Sequence, residues 1–271
     1  MADYPFKEVD MAFNIFGFHT AIEYNWDEHY SVCGERHDFW EIVYVISGEV
    51  EVVEDDRVYR LKERNIIFHA PMEFHKIRSL PGMSPHILIL TFSAAGTLPA
   101  ELKEGVFNVS LEEQEILYSI VGVVSDFLEG RGSDMLEMNL TVLGLSSFLL
   151  KLISSQKAKS RYSHLRSATE YHNIVTTMKN ELYSNITLAE LSDKCNVSIS
   201  YIKLLFARYS GISPKAYYSN MRFDEAVRLL EEEYSVNEVS EMMNFSSRNY
   251  FSVFFKSRCG LPPAKYIKQA R

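Results

Sequence analysis

Residues 191–206 read LSDKCNVSISYIKLLF, and residues 239–255 read VSEMMNFSSRNYFSVFF. Shifted by 49 positions, Ser198 falls on Ser247, Tyr201 on Tyr250, Leu205 on Phe254, Phe206 on Phe255, Gly211 on Gly260 and Pro214 on Pro263. Upstream the shift is 48, so that Leu191 meets Val239, Ser192 meets Ser240 and Asn196 meets Asn244. One structural unit therefore occurs twice, with one extra residue in the second copy.

Each copy reads as a short helix, a tight turn and a second helix. In the first, Thr187 and Glu190 form a capping box ahead of the apolar positions Leu188 and Leu191. Asn196 sits where the chain must turn, and Asn tolerates a left-handed backbone. Ser198 then caps a helix over 199–209 whose inner side is Ile202, Leu205 and Phe206, and Gly211 ends it. Val236, Val239, Asn244, Phe245, Phe251, Phe254, Phe255 and Gly260 repeat the pattern. The unit is a helix-turn-helix, whose second helix enters the DNA major groove. Residues 214–232 read as one connecting helix with Pro214 in its first turn. Its length of roughly 28 Å approaches the ~34 Å between successive major grooves on one DNA face. One chain could then read two grooves.

The stretch from about Tyr171 to Tyr266 resembles the DNA-binding domain of the AraC/XylS family of transcription regulators. The resemblance rests on Ser198-x-x-Tyr201-Ile202-x-x-x-Phe206, Gly211-Ile212-Ser213-Pro214 and Arg222-x-x-x-Ala226-x-x-Leu229-Leu230. Asn244-Phe245-Ser246, Tyr250-Phe251-x-x-x-Phe255-Lys256 and Gly260-x-Pro262-Pro263-x-x-Tyr266 complete it. Asn244 stands where the family usually has Gly, and Ser192 and Ser240 where it prefers Ala. The resemblance places Ser200, Lys203 and Leu204 in the first groove, and Asn249, Tyr250 and Val253 in the second, with Arg248 at that helix's start. Lys can donate to guanine and Asn can pair with adenine, whereas Leu204 and Val253 can only pack on a thymine methyl or stay neutral. Arg208, Lys256, Arg258 and Lys265 are expected on phosphates.

Charge divides the chain. Residues 1–155 carry 11 Lys/Arg against 25 Asp/Glu, and residues 164–271 carry 14 against 11. Lys157, Lys159 and Arg161 lie between, in a polar stretch at 154–163 that reads as a flexible linker. Nucleic acid is thus expected at the C-terminal part only. The expected domains are 1–155, a linker at 156–163, and 164–271. Cys33, Cys195 and Cys259 are odd in number and lack CxxC spacing, which fits a reducing compartment. The opening MADYPFKEVD lacks the apolar run of a secretion signal. The apolar run at 140–153 is too short to span a bilayer. A cytoplasmic protein without membrane association is expected.

The N-terminal half, over 12–92, reads as regularly spaced short strands: 37–46, 49–54, 58–61, 65–69, 74–77 and 86–92. His37-x-x-x-Glu41 followed by six residues and Gly48 is similar to the first motif of the cupin barrel, and Pro71-x-x-x-His75 lies where the second should be. Such a barrel often serves the AraC/XylS family as its effector domain. In a strand, His37, Phe39 and Glu41 share one face, which the resemblance turns inward beside His75. Two imidazoles and a carboxylate could hold a metal, a small polar effector, or only each other. The motif is incomplete, with Glu35 in place of a His and Glu73 in place of a Gly. The expectation is therefore an effector pocket formed by His37, Phe39, Glu41 and His75, suited to a sugar, with no metal, no cofactor and no catalytic residue.

Ser110-x-x-Glu113 opens a helix to about Leu128 with Ile116, Leu117, Ile120, Val124 and Phe127 inward. A second helix over 134–153 carries Leu136, Leu140, Leu143, Ser147 and Leu150 on one stripe. Such helices can pack on the barrel or against a second copy, and the family resemblance favours a homodimer. The combined expectation is an α+β protein: a cupin-like barrel with dimerisation helices, then an all-α domain with two helix-turn-helix motifs joined by a long helix. Its partners would be double-stranded DNA, a small-molecule effector and a second copy, plus RNA polymerase for an activator. A cupin enzyme fused to a DNA-binding domain and a regulator without effector are the alternatives.

Overall fold

The computed structural model describes residues 13–31, 34–103, 105–132, 134–155 and 165–270. The opening decapeptide, Cys33 and the linker at 156–163 lie outside the described residues. The chain separates into two compact units, Met1–Ser163 and His164–Arg271.

The first unit holds β1 (Phe13–Asn25), β2 (Trp40–Ser47), β3 (Glu49–Glu54), β4 (Arg57–Lys62), β5 (Asn65–His69), β6 (His75–Ser79), β7 (His86–Gly96) and β8 (Phe107–Asn108). They form two antiparallel sheets, β1-β7-β2-β5-β8 and β4-β3-β6. From Ile42 to Val45 strand β2 is apolar without a break because both of its faces are buried. Val43 and Val45 join Val50, Val52, Tyr59, Leu61 and Ile77 in one core. Ile42 and Tyr44 join a second core with Leu88, Leu90, Leu117 and Leu149. Strand β1 carries two register shifts against β7, between Ile15 and Gly17 and between Phe18 and Thr20. These bulges break the period-2 pattern that would have marked the strand in the sequence. His37 and Phe39 are not strand residues as their spacing implied, since β2 begins at Trp40.

Helix α1 (Leu111–Leu128) starts at the expected Ser110–Glu113 capping box, with both reciprocal hydrogen bonds present. Its buried side chains are Leu117, Ile120, Val121 and Val124, while Phe127 faces outward. Helix α2 (Met135–Ser155) buries Met138, Leu145, Phe148, Leu149 and Leu152. It is long and apolar enough to cross a membrane, longer than the run at 140–153 implied, yet that side of it packs into the same core as α1 and β1. The stripe Leu136, Leu140, Leu143, Ser147 and Leu150 is exposed, with Leu136 67%, Leu140 61% and Leu143 60% accessible.

The second unit is helical: α3 (Arg166–Asn180), α4 (Leu188–Cys195), α5 (Ile199–Tyr209), α6 (Pro214–Glu231), α7 (Val236–Met242), α8 (Arg248–Cys259) and α9 (Pro263–Ala270). Thr187 and Ser235 form capping boxes, and Ser198, Ser213 and Ser247 cap α5, α6 and α8. Asn196 and Asn244 both take φ 53°, which explains how Asn replaces the family's Gly in the second turn. Helix α3 closes the first copy through Tyr171, whose ring lies 5.2 Å from Phe206 and 5.1 Å from Tyr209. In the second copy, Ala226, Leu229, Leu230, Val239, Met243, Phe251 and Phe255 form one core. Cys195 and Cys259 are free and half-buried.

Candidate functional site

In the first unit, register decides which polar groups meet. Glu41 pairs with Thr91 on one side and His69 on the other, and Glu54 pairs with His75 in the smaller sheet. A cavity of about 220 Å³ opens beside them, lined by Thr20, Trp26, Tyr30, Glu35, His37, Phe39, Glu41 and Thr91 among others. Although His37 and Phe39 precede the strand, their rings stack at 3.9 Å and 8°, and His19 stacks on the far side of Phe39 at 4.3 Å. Trp26 and Tyr30 form a second stacked pair at 4.0 Å. Around this space Trp26 Nε1, His37 Nε2 and Thr91 Oγ1 are buried without a hydrogen-bond partner. Buried polar atoms of this kind are costly unless a ligand or water satisfies them.

The histidine tautomers follow from their acceptors. His37 Nδ1 lies 2.9 Å from the Phe39 carbonyl and His75 Nδ1 lies 3.2 Å from the Glu73 carbonyl. A carbonyl can only accept, so each Nδ1 carries the proton and donates it. In the neutral rings Nε2 is then a lone pair. Glu41 lies between them: His37 Nε2 is 3.6 Å from Oε2 and His75 Nε2 is 3.4 Å from Oε1, neither making a sound hydrogen bond. Burial opposes ionisation of Glu41, but His37, His69 and His75 outweigh it and hold the carboxyl below its ordinary value. Burial, with His69 adjoining, pulls His75 down to about 4.

His69 is the member that sequence reasoning missed. It is fully buried, stacks on His75 at 4.2 Å and 6°, and bonds Glu54 through Nδ1 at 3.0 Å. Burial pushes Glu54 up to about 8, and burial together with Glu54 pushes Glu73 up to about 7. Trp26, Tyr30 and Thr91 were also missed. Thr91 carried a signal, since it shares a strand face with Ile87 and Ile89 opposite Val45 and Val43. Two groups have metal-ligand spacing, His37–Glu41–His75 and Glu54–His69–Glu73, with ligand atoms within 4.8 Å of one another in each.

In the second unit, Ser200, Lys203, Leu204 and Arg208 lie on the exposed side of α5. Arg248, Asn249, Tyr250, Val253 and Lys256 lie on the exposed side of α8. The apolar Leu204, Tyr250 and Val253 are 61%, 59% and 67% accessible, although burial would favour each of them. Neither helix contains an acidic residue, so nothing on them repels phosphate. Arg258 is engaged within the fold, donating to Asn220 Oδ1 at 2.6 Å.

The description "AraC-like ligand binding domain" matches residues 19–121, and "Helix-turn-helix domain" matches residues 191–269. The HTH-type transcriptional regulator YidL of Escherichia coli is 25% identical over 253 residues, covering 89% of this chain and 82% of that protein. The HTH-type transcriptional regulator YfiF of Bacillus subtilis is 24% identical over 250 residues, covering 88% and 79%. Among solved structures, apo ToxT from Vibrio cholerae aligns over 96% of this chain and 98% of that one, at 15% identity and a TM-score of 0.39.

Proposed function

The chain belongs to the AraC/XylS family of DNA-binding transcription regulators, and from that premise we propose a cytoplasmic activator whose N-terminal cavity takes a small polyol such as a sugar. The supporting observation is the set of partnerless polar atoms, Trp26 Nε1, His37 Nε2 and Thr91 Oγ1, around a cavity with stacked aromatic walls. Hydroxyls would satisfy such atoms, and the rings of Phe39 and Trp26 would cover the apolar face of a sugar. His37, Phe39 and Glu41 line the pocket in this reading, whereas His75, expected there from the sequence, is fully buried behind Glu41 and does not line the cavity; no catalytic role is assigned. Isothermal titration of the full chain with pentoses, hexoses and their acids tests it. Saturable heat that the variant Thr91→Val loses is expected, and no heat from any of them removes the reading.

The exposed stripe of α2, Leu136, Leu140, Leu143, Ser147 and Leu150, recurs at alternate steps of four and three, the period of a helix pairing seam. That seam supports a homodimer. In the second unit, Ser200, Lys203, Leu204, Asn249, Tyr250 and Val253 face the bases, while Arg208, Arg248 and Lys256 hold phosphates. An effector favouring one arrangement of the dimer over another would change which half-sites it spans. An activator would also present a surface to RNA polymerase.

A second reading has an observation of its own. The cupin fold implies a metal, and His37, Glu41 and His75 fit one: carbonyl-bonded Nδ1 atoms leave two Nε2 lone pairs converging on an ionised carboxylate. A divalent transition ion there would anchor the effector's hydroxyls. Metal analysis of purified protein and the visible spectrum of a cobalt titration test it. A stoichiometric ion lost in His75→Ala is expected, and a featureless cobalt spectrum contradicts it.

A further inference from the structure

Arg222 is 5% exposed and lies on α6 between the two helix-turn-helix units. Its Nη1 donates to Asn185 Oδ1, ahead of the first unit, and its Nη2 to the Met243 carbonyl at the end of α7. The guanidinium also covers the Phe245 ring at 4.4 Å and approaches Tyr218 at 6.0 Å. These partners are neutral. Among the described residues no carboxylate pairs with Arg222, and its Nε is buried without a partner. A desolvated cation without a counter-ion is expensive, and an anion brought to it would lower that cost.

Arg222 also lines a groove of about 410 Å³, within the range of small-molecule sites. Its walls are apolar and aromatic, with Leu188, Leu191, Tyr218, Phe245, Tyr250 and Phe254. Lys215 is the other charged lining residue, and no acidic side chain lines the groove. Two cations above apolar walls suit a ligand with an anionic head and an aromatic or aliphatic body, and would reject a polyol or an amine. The N-terminal cavity differs in kind, being smaller and lined by Glu35 and Glu41.

We propose that this groove is a second ligand site, in the DNA-binding unit itself, for a small carboxylate whose head group pairs with Arg222. The site touches both copies of the repeat: Leu188 and Leu191 belong to α4, and Tyr250 and Phe254 to the second recognition helix. A carboxylate that engages the Nη1 or Nη2 donors competes with Asn185 and the Met243 carbonyl for them. Occupancy therefore resets one recognition helix against the other and weakens the grip on a two-groove site.

The test uses the full chain with ¹³C-labelled methionine methyls, because Met178 lines the groove and Met135, at the start of α2, does not. The probes are 4-phenylbutyrate, 4-phenylbutanol and 4-phenylbutylamine, which share a body and differ in head charge. Saturable movement of the Met178 resonance by the carboxylate is expected, with the alcohol and the amine at least tenfold weaker. Lys215→Glu should weaken the carboxylate several-fold. Ser219→Phe, which puts a ring into the groove, should abolish the shift while the thermal transition stays. Saturating carboxylate should lower affinity at least threefold for a duplex selected from random sequence by this protein. An unmoved Met178, equal binding of the alcohol, or an unchanged shift in Ser219→Phe overturns the site. Binding with unaltered DNA affinity overturns its coupling.

Discussion

Asn196 and Asn244 adopt the same left-handed backbone, φ 53° at each, at the equivalent turn of each repeat. The left-handed region costs a residue with an ordinary Cβ about 1–2 kcal/mol, and Asn and Gly far less. The turn is therefore a backbone requirement that two residue types meet.

Replacing Asn196 by Ala should destabilise the second unit by about 1 kcal/mol, whereas Asn196→Gly should leave it within roughly half of that. Chemical denaturation followed by far-ultraviolet circular dichroism reads the difference. Equal stability of the Ala and Gly variants would show that the turn imposes no such requirement.

Asn249 and Lys256 lie on one exposed helix and are expected to differ in kind. Asn249→Ala should cost roughly 1–3 kcal/mol on the selected duplex and relax preference at one base. Lys256→Ala should weaken all sequences alike and make the salt dependence shallower. If Asn249→Ala also weakens every sequence equally, Asn249 is not a base reader.

The double variant Leu140→Glu/Leu143→Glu alters only the exposed side of α2, so the first unit should keep its fold. Light scattering should show the wild type at twice the 31.3 kDa chain mass and the variant at the single mass. A wild type that is already monomeric at micromolar concentration contradicts the seam.

Glu54 gives the first unit a pH dependence. Its folded pKa, about 8, lies above the ordinary value of 4.5, so its proton is held more tightly when folded. Stability from this group is complete below the unfolded value and is lost as pH rises through about 8. Glu73, raised to about 7, acts in the same direction. His75, lowered to about 4, acts only below its ordinary 6.5. Between pH 6.5 and about 8.5, metal-stripped protein should therefore melt at progressively lower temperature. Both tryptophans, Trp26 and Trp40, lie in this unit and report it. Glu54→Gln should flatten the slope, and an unchanged slope assigns it elsewhere.

The second unit was legible because its signals are local. Capping serines, a turn Asn and a terminal Gly each act within four residues, and the repeat displays them twice. The exposed apolar residues Leu204 and Val253 could be placed only through the family resemblance. The first unit was less legible because its site depends on register. His69 lies in the apolar strand NIIFH, and nothing nearby indicates that it faces Glu54 and stacks on His75. His37 was recognised by spacing although its conformation was not that of a strand, because the contacts of its ring matter more than the strand boundary. The inward and outward stripes of α2 are both apolar, so the sequence alone could not say which one the sheet covers.

A hydroxyl-radical footprint of the Leu140→Glu/Leu143→Glu monomer on the selected duplex examines whether one chain grips two grooves. The expected pattern is protection in two windows on one face of the DNA, about 10 base pairs apart, with Lys203→Ala thinning one window and Asn249→Ala the other. A single protected window per chain, unaffected by one of those two substitutions, would contradict the reading of the tandem repeat as two groove-binding units.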